Sequence, residues 1–139
     1  DGGGRRSIYQ EIRRNAHNPL LEVFDLPKPA TTRGQRDATN VPAQSLALLN
    51  SPFVVGQATE WGQRLATGES TSVDSRITHM FLKTLTREPT DIERDRVAAY
   101  VDKVVGTHGV SPELLMYGSK VWQDVAHSLF NLKEFIFIP

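Results

Sequence analysis

Seven polar residues between Asp25 and Asn50 have the side-chain types to hold a small polar molecule: Asp25, Arg33, Arg36, Thr39, Asn40, Gln44 and Asn50. A guanidinium such as that of Arg36 offers a carboxylate or other anion two parallel N–H donors, while the amides of Asn40, Gln44 and Asn50 can orient a polar ligand in a pocket. The same groups also have a plainer use. Irregular backbone has no ladder to satisfy its N–H and C=O groups, so amide side chains, and an Arg36 paired to Asp25 or Asp37, would serve to brace it. We take the bracing reading first, because no nucleophile with an adjacent base accompanies these residues, and keep the binding reading as its competitor.

Other chemistries find less support. The four histidines, His17, His79, His108 and His127, fall on different expected elements without the close pairing that metal ligation requires. With no cysteine in the chain, disulfides, thiolate nucleophiles, thiolate metal sites and covalent c-type haem attachment are all excluded within it. Gly2, Gly3 and Gly4 form a terminal run without the strand and helix that give a phosphate loop its purpose, and Ser45 and Ser128 lack the signature of an activated nucleophile. No catalytic residue, metal ligand or resident cofactor is therefore assigned. Arg5, Arg6, Arg13 and Arg14 form a basic cluster, but 16 basic residues balance 16 acidic ones, so the expected partners do not include nucleic acid. No apolar run reaches the roughly 18–20 residues of a membrane span.

The elements that must position the polar cluster are helical. Pro42 suits a first helical turn, Leu46, Leu49 and Phe53 recur at helical spacing, and Asn50-Ser51-Pro52 supplies a stop, a cap and a restart. Together they predict a compact corner with the bulky apolar side chains inside. A second helix follows, with Val54, Ala58, Trp61 and Leu65 on one stripe, ending near Thr67-Gly68. A third runs over about 73–86, with Ile77, Met80, Phe81 and Leu85 inward.

Thr90 and Glu93 then form a capping box for a helix carrying Ile92, Val97, Tyr100, Val101 and Val104 and ending at Gly106. Ser111-Pro112-Glu113 starts another, with Leu115, Trp122, Val125 and Leu129 inward, and the apolar tail from Phe135 to Ile138, behind a short final turn, either packs on the domain's own helices, the reading taken first, or forms an interface with a missing neighbour. Before all of these, a short helix capped by Ser7, with a short strand as the competing reading, a loop pinned by Leu20, Val23 and Phe24, and an irregular stretch from Ala30 to Asn40 make up a loop-rich arm. The fold class is all-α: an irregular bundle of five or six helices over 41–139 with the arm at 1–40, forming a single domain or the C-terminal half of a larger one.

Several stretches in this order carry a resemblance: Arg5 to Tyr9, Phe24-Asp25-Leu26-Pro27, the core running from Thr39 through Pro42, Gln44, Leu46 and Leu48 to Asn50, Arg87-Glu88-Pro89-Thr90, and Asn131 to Phe135. The chain resembles the C-terminal half of the planctomycete cytochrome c-associated domain of unknown function. The resemblance implies context rather than chemistry. It implies a module of a large exported bacterial protein, periplasmic or at the cell surface, whose upstream domains are the partners and whose cytochrome-type neighbour carries the haem. The chain departs from the family where Val41 replaces a capping threonine and where Ser51 and Lys133 replace aspartates, which speaks against a metal site at those positions. The function expected is a non-catalytic structural or interaction module. The alternative is a hydrolase acting on an extracellular carbohydrate or ester, with Asp25, Arg36, Asn40 and Gln44 in its pocket.

Overall fold

A computed structural model describes residues 9, 11, 18–26, 42–68, 70 and 72–136. Among them every regular element is helical. α1 spans Pro19–Val23, α2 Pro42–Asn50, α3 Pro52–Ala66, α4 Val73–Leu85 and α5 Asp91–His108; a 3-10 turn at Pro112–Tyr117 leads into α6 (Ser119–Phe130) and α7 (Lys133–Ile136). The all-α expectation holds. Five of the described helices have nine residues or more, and α1 and α7 add about one turn each. The chain divides into two units, residues 1–47 and 48–139, which are described in turn.

In the first unit the stretch expected to be a pinned loop winds instead into α1. Pro19 opens it, and the Asn18 side chain accepts hydrogen bonds from the N–H groups of Leu20 and Leu21 at 3.0 and 3.4 Å. Asn18 thus satisfies donors that a helix start leaves orphaned. The helix lasts five residues, and Asp25 follows it in the left-handed region at φ 59°. The Ala30–Asn40 stretch lies outside the described residues, as does the Ser7-capped helix apart from Tyr9 and Glu11 within it, both exposed.

α2 starts at Pro42 and ends at Asn50, as the proline and the Asn-Ser-Pro break require. Its orientation corrects the expectation. Leu46, Leu49 and Phe53 are 58%, 50% and 60% exposed, whereas Gln44 is buried. Helical spacing establishes which residues share a face but not which face turns inward. Here Gln44, Ala47 and Leu48, at i, i+3 and i+4, are the less exposed set.

The second unit is organised by α3 and α6. Ala58 and Ala126 are fully buried between its helices, and Gly62 lets the two backbones close. A Cβ at Gly62 would sit 2.6 Å from the Ser119 carbonyl oxygen and 2.7 Å from the Gln123 nitrogen. Ile77, Met80, Phe81 and Leu85 from α4 and Val101 and Val104 from α5 fill the rest of the core around Trp122. These are the residues their helical stripes predict. Trp61 is only half-buried, and its ring stacks on Phe130 with 5.6 Å between centroids, so Trp122 is the tryptophan that anchors the core. Ile92 lies exposed and Tyr100 sits at the surface.

Two helix ends differ from expectation for physical reasons. α5 runs through Gly106 to His108 and is closed by Gly109 at φ 62°. A glycine inside a helix costs about 1 kcal/mol and can be carried, whereas the left-handed closing position is where glycine is needed. The helix expected from Ser111 is split by Gly118. The Leu115 carbonyl accepts from the Trp122 indole N–H at 3.0 Å, and the Met116 carbonyl accepts from the Arg76 guanidinium. Side chains from the core thus occupy the acceptors a continuous α-helix would use, and the segment stays a 3-10 turn.

The capping box at the start of α5 is formed: the Thr90 hydroxyl accepts from the Glu93 N–H at 3.3 Å and the Glu93 carboxylate accepts from the Thr90 N–H at 2.8 Å. Thr90→Ala is expected to lower unfolding stability by about 1 kcal/mol, measured by urea denaturation.

Candidate functional site

Gln44 projects from the first turn of α2 and donates from Nε2 to the Val23 carbonyl at 3.2 Å, so its amide ties α2 to the end of α1 within the first unit. Val23 is the last residue of α1, where carbonyls have no intrahelical partner. Asp25 is half-buried just beyond, with its own N–H donated to the Glu22 carbonyl at 3.3 Å. Asn50 is exposed at the end of α2. Arg33, Arg36, Thr39 and Asn40 lie outside the described residues, as does the expected pairing of Arg36 with Asp25 or Asp37.

The other candidate groups are engaged in local structure. His108 Nε2 lies 2.8 Å from the Asp124 carboxylate, and His127 Nε2 lies 3.5 Å from the Leu48 carbonyl. Ser128 donates its hydroxyl to the Asp124 carbonyl at 2.9 Å, a back-bond within α6. His79 and Ser45 are exposed, and His17 lies outside the described residues. Among the described residues no three His, Asp or Glu side chains group to hold a metal ion.

Three arginines that were not among the candidate site residues join elements of the second unit. Arg76 is 1% exposed on α4, its guanidinium 4.7 Å from the centre of the Trp122 ring. It donates to the Met116 carbonyl and, at 3.5 Å, to that of Ser70, while its Nε–H finds no acceptor. Burial pulls its pKa below the ordinary arginine value. Arg94 pairs with Asp74 at 2.6 Å, joining α5 to α4, and this bond raises its pKa.

Arg87 sits between two carboxylates, Glu93 at 2.8 Å and Glu134 at 2.7 Å. It thereby links two of the stretches that carry the family resemblance, Arg87–Thr90 and Asn131–Phe135. One sequence signal was available. An arginine beside a Glu-Pro-Thr helix start stands near the acidic first turn of that helix. The distant Glu134 carries no such signal, because a pair 47 residues apart is set by tertiary packing.

This triad has a pH consequence. The Arg87 hydrogen bond, followed by the Thr90 backbone N–H, holds the Glu93 pKa down to about 2. A carboxyl with a folded pKa below its unfolded value of about 4.3 contributes stability at higher pH and loses it as protons bind to the unfolded chain first. Between about pH 5 and pH 2 the unfolding free energy should therefore fall, and Glu93→Gln should flatten that part of the curve. The check is urea denaturation at stepped pH.

The arrangement defines a class: an all-helical module in which Gln44, Arg76, Arg87 and Arg94 join one element to another, with large apolar groups left at the surface. A family model described as PSD1, protein of unknown function (DUF1553), matches residues 1–101, and the chain belongs to that family. The matched span ends within α5, so α6 and the Asn131–Phe135 stretch lie beyond it. No curated protein and no solved structure matches the chain. Among the described residues no helix is long and apolar enough to cross a membrane.

Proposed function

We propose that this chain is a non-catalytic structural and interaction module of a larger exported bacterial protein, docking through α2 and the start of α3 onto a neighbouring domain. The observation that carries the reading is the exposure of Leu49 and Phe53, with Leu46 on the same face of α2, in a stretch that lacks charge. Residues 38–59 contain no Asp, Glu, Lys or Arg in a chain that is 23% charged. Depletion of charge with exposed aromatic and aliphatic groups marks the centre of protein interfaces.

The buried Gln44 amide supports the same reading, since it bonds to backbone in the manner of a brace rather than of a ligand-binding group. The resemblance in the motif stretches supplies the context: upstream domains of the same polypeptide, a cytochrome-type domain with its haem among them, in the periplasm or at the cell surface.

The experiment compares the chain alone with a longer polypeptide that includes the preceding region of its parent protein. The longer form should melt at a higher temperature, and Phe53→Asp should remove most of that gain while leaving the melting of the short form nearly unchanged. Equal melting of the module in both forms would refute the docking.

A further inference from the structure

Two contacts that α7 makes with other described residues share an unusual feature. The first is ionic. Arg87 donates from Nε and Nη2 to the two carboxylate oxygens of Glu134, both at 2.7 Å. The same guanidinium donates from Nη1 and Nη2 to Glu93 at 2.9 and 2.8 Å, and Glu93 is further held by the N–H and hydroxyl of Thr90. The second contact is aromatic. Phe135 lies against Phe130 with 5.1 Å between ring centroids, and the Phe130 ring is already stacked on Trp61 at 5.6 Å.

Both anchors thus keep a partner inside the bundle when α7 leaves. Arg87 retains Glu93 and Phe130 retains Trp61, so undocking strands neither a buried charge nor a lone ring, which are the usual penalties for breaking a contact. Glu93 and Glu134 also repel each other across the shared guanidinium. α7 itself is four residues long with none of them buried, and both partners of its ion pair are partly exposed, where salt screens the attraction.

We propose that α7 is a detachable strap that fills, in cis, a docking site for a peptide segment carrying an acidic residue next to an aromatic one. The site consists of the Nε–Nη2 edge of Arg87, which takes the carboxylate in bidentate fashion, and the outer face of Phe130, which takes the ring. Phe81 backs the guanidinium, with its ring centre 5.7 Å from the Arg87 carbon. In the closed state Glu134 and Phe135 are the ligand. When α7 swings away, the same edge and face accept an equivalent Glu-Phe segment from another chain. The inference is independent of the apolar groups on α2, so either can fail without the other.

The probe is a fluorescently labelled peptide of residues 131–136, read by anisotropy against the full chain. In wild type the site is occupied from within, at an effective concentration of order millimolar for a short tether. The double variant Glu134→Ala/Phe135→Ala, which keeps the core intact, should therefore bind the peptide at least tenfold more tightly than wild type. Adding Arg87→Gln should weaken that binding at least tenfold, and so should raising the salt to 0.5 M. Circular dichroism confirms that each variant is folded, and Phe135→Ala alone gives the same comparison if the double variant is not. Equal binding to wild type and variant, no binding to the folded variant at millimolar peptide, or binding indifferent to Arg87 would each overturn the proposal.

Discussion

Trp122→Ala is expected to lower the unfolding free energy by about 3–5 kcal/mol, the largest single effect in the chain. The side chain is 0% exposed, and its removal acts in three ways. It leaves a cavity between α3, α4 and α6, which the surrounding helices can only partly close. It removes the indole N–H that satisfies the Leu115 carbonyl. It also strips the aromatic face from Arg76, a buried guanidinium with one N–H already lacking an acceptor. Trp122→Phe separates these contributions. It keeps most of the ring over Arg76 but cannot donate to Leu115, so its loss should be markedly smaller, and the 3-10 turn should be the first region to lose hydrogen-exchange protection.

The second large effect concerns a missing side chain. Gly62→Ala adds one carbon where two backbone atoms of α6 lie within 2.7 Å of it, and neither can rotate away as a side-chain tip could. The α3–α6 contact must open, at a cost of about 1–3 kcal/mol for overpacking, before the modest helix-propensity gain of alanine is subtracted. Gly106→Ala is the internal control. It lies in α5 with nothing within 4 Å of the added carbon, so the same change there should raise stability by about 0.5–1 kcal/mol. Opposite signs for two glycine-to-alanine changes in helices, measured by urea denaturation, would establish that α3 and α6 touch through backbone.

The helices were largely legible because their ends carry local chemistry. Thr90 with Glu93, Pro42 after the irregular stretch, and Pro52 after Asn50 each specify a start within a few residues, and stripes such as Ile77, Met80, Phe81 and Leu85 specify an inner face. What the sequence obscured were choices made by tertiary packing. The Leu46–Leu49–Phe53 stripe has the spacing of a core face, yet Gln44 is the residue that turns inward, because its amide satisfies the carbonyl at the end of α1.

Arg76 has no local mark of burial. Its place is set by Trp122 and by the Met116 carbonyl, 40 residues or more along the chain. Gly118 breaks what periodicity presents as one helix, since Arg76 and Trp122 claim the carbonyls beside it. Of the candidate site, Gln44 could be named from sequence as a polar residue of consequence. Its role as a brace became clear only from its partner.

On the proposed reading Gln44 of α2 holds local structure, while the exposed Leu49 and Phe53 make the docking contact. The most direct measurement titrates the preceding region of the parent protein, supplied as a separate polypeptide, into wild type, Gln44→Ala and the pair Leu49→Asp/Phe53→Asp. The account predicts that Leu49→Asp/Phe53→Asp weakens binding at least tenfold with its melting temperature nearly unchanged. It also predicts that Gln44→Ala lowers stability by about 1–3 kcal/mol, from the carbonyl left unsatisfied, while still binding when folded. Undiminished binding by Leu49→Asp/Phe53→Asp, together with lost binding by a folded Gln44→Ala, would contradict it.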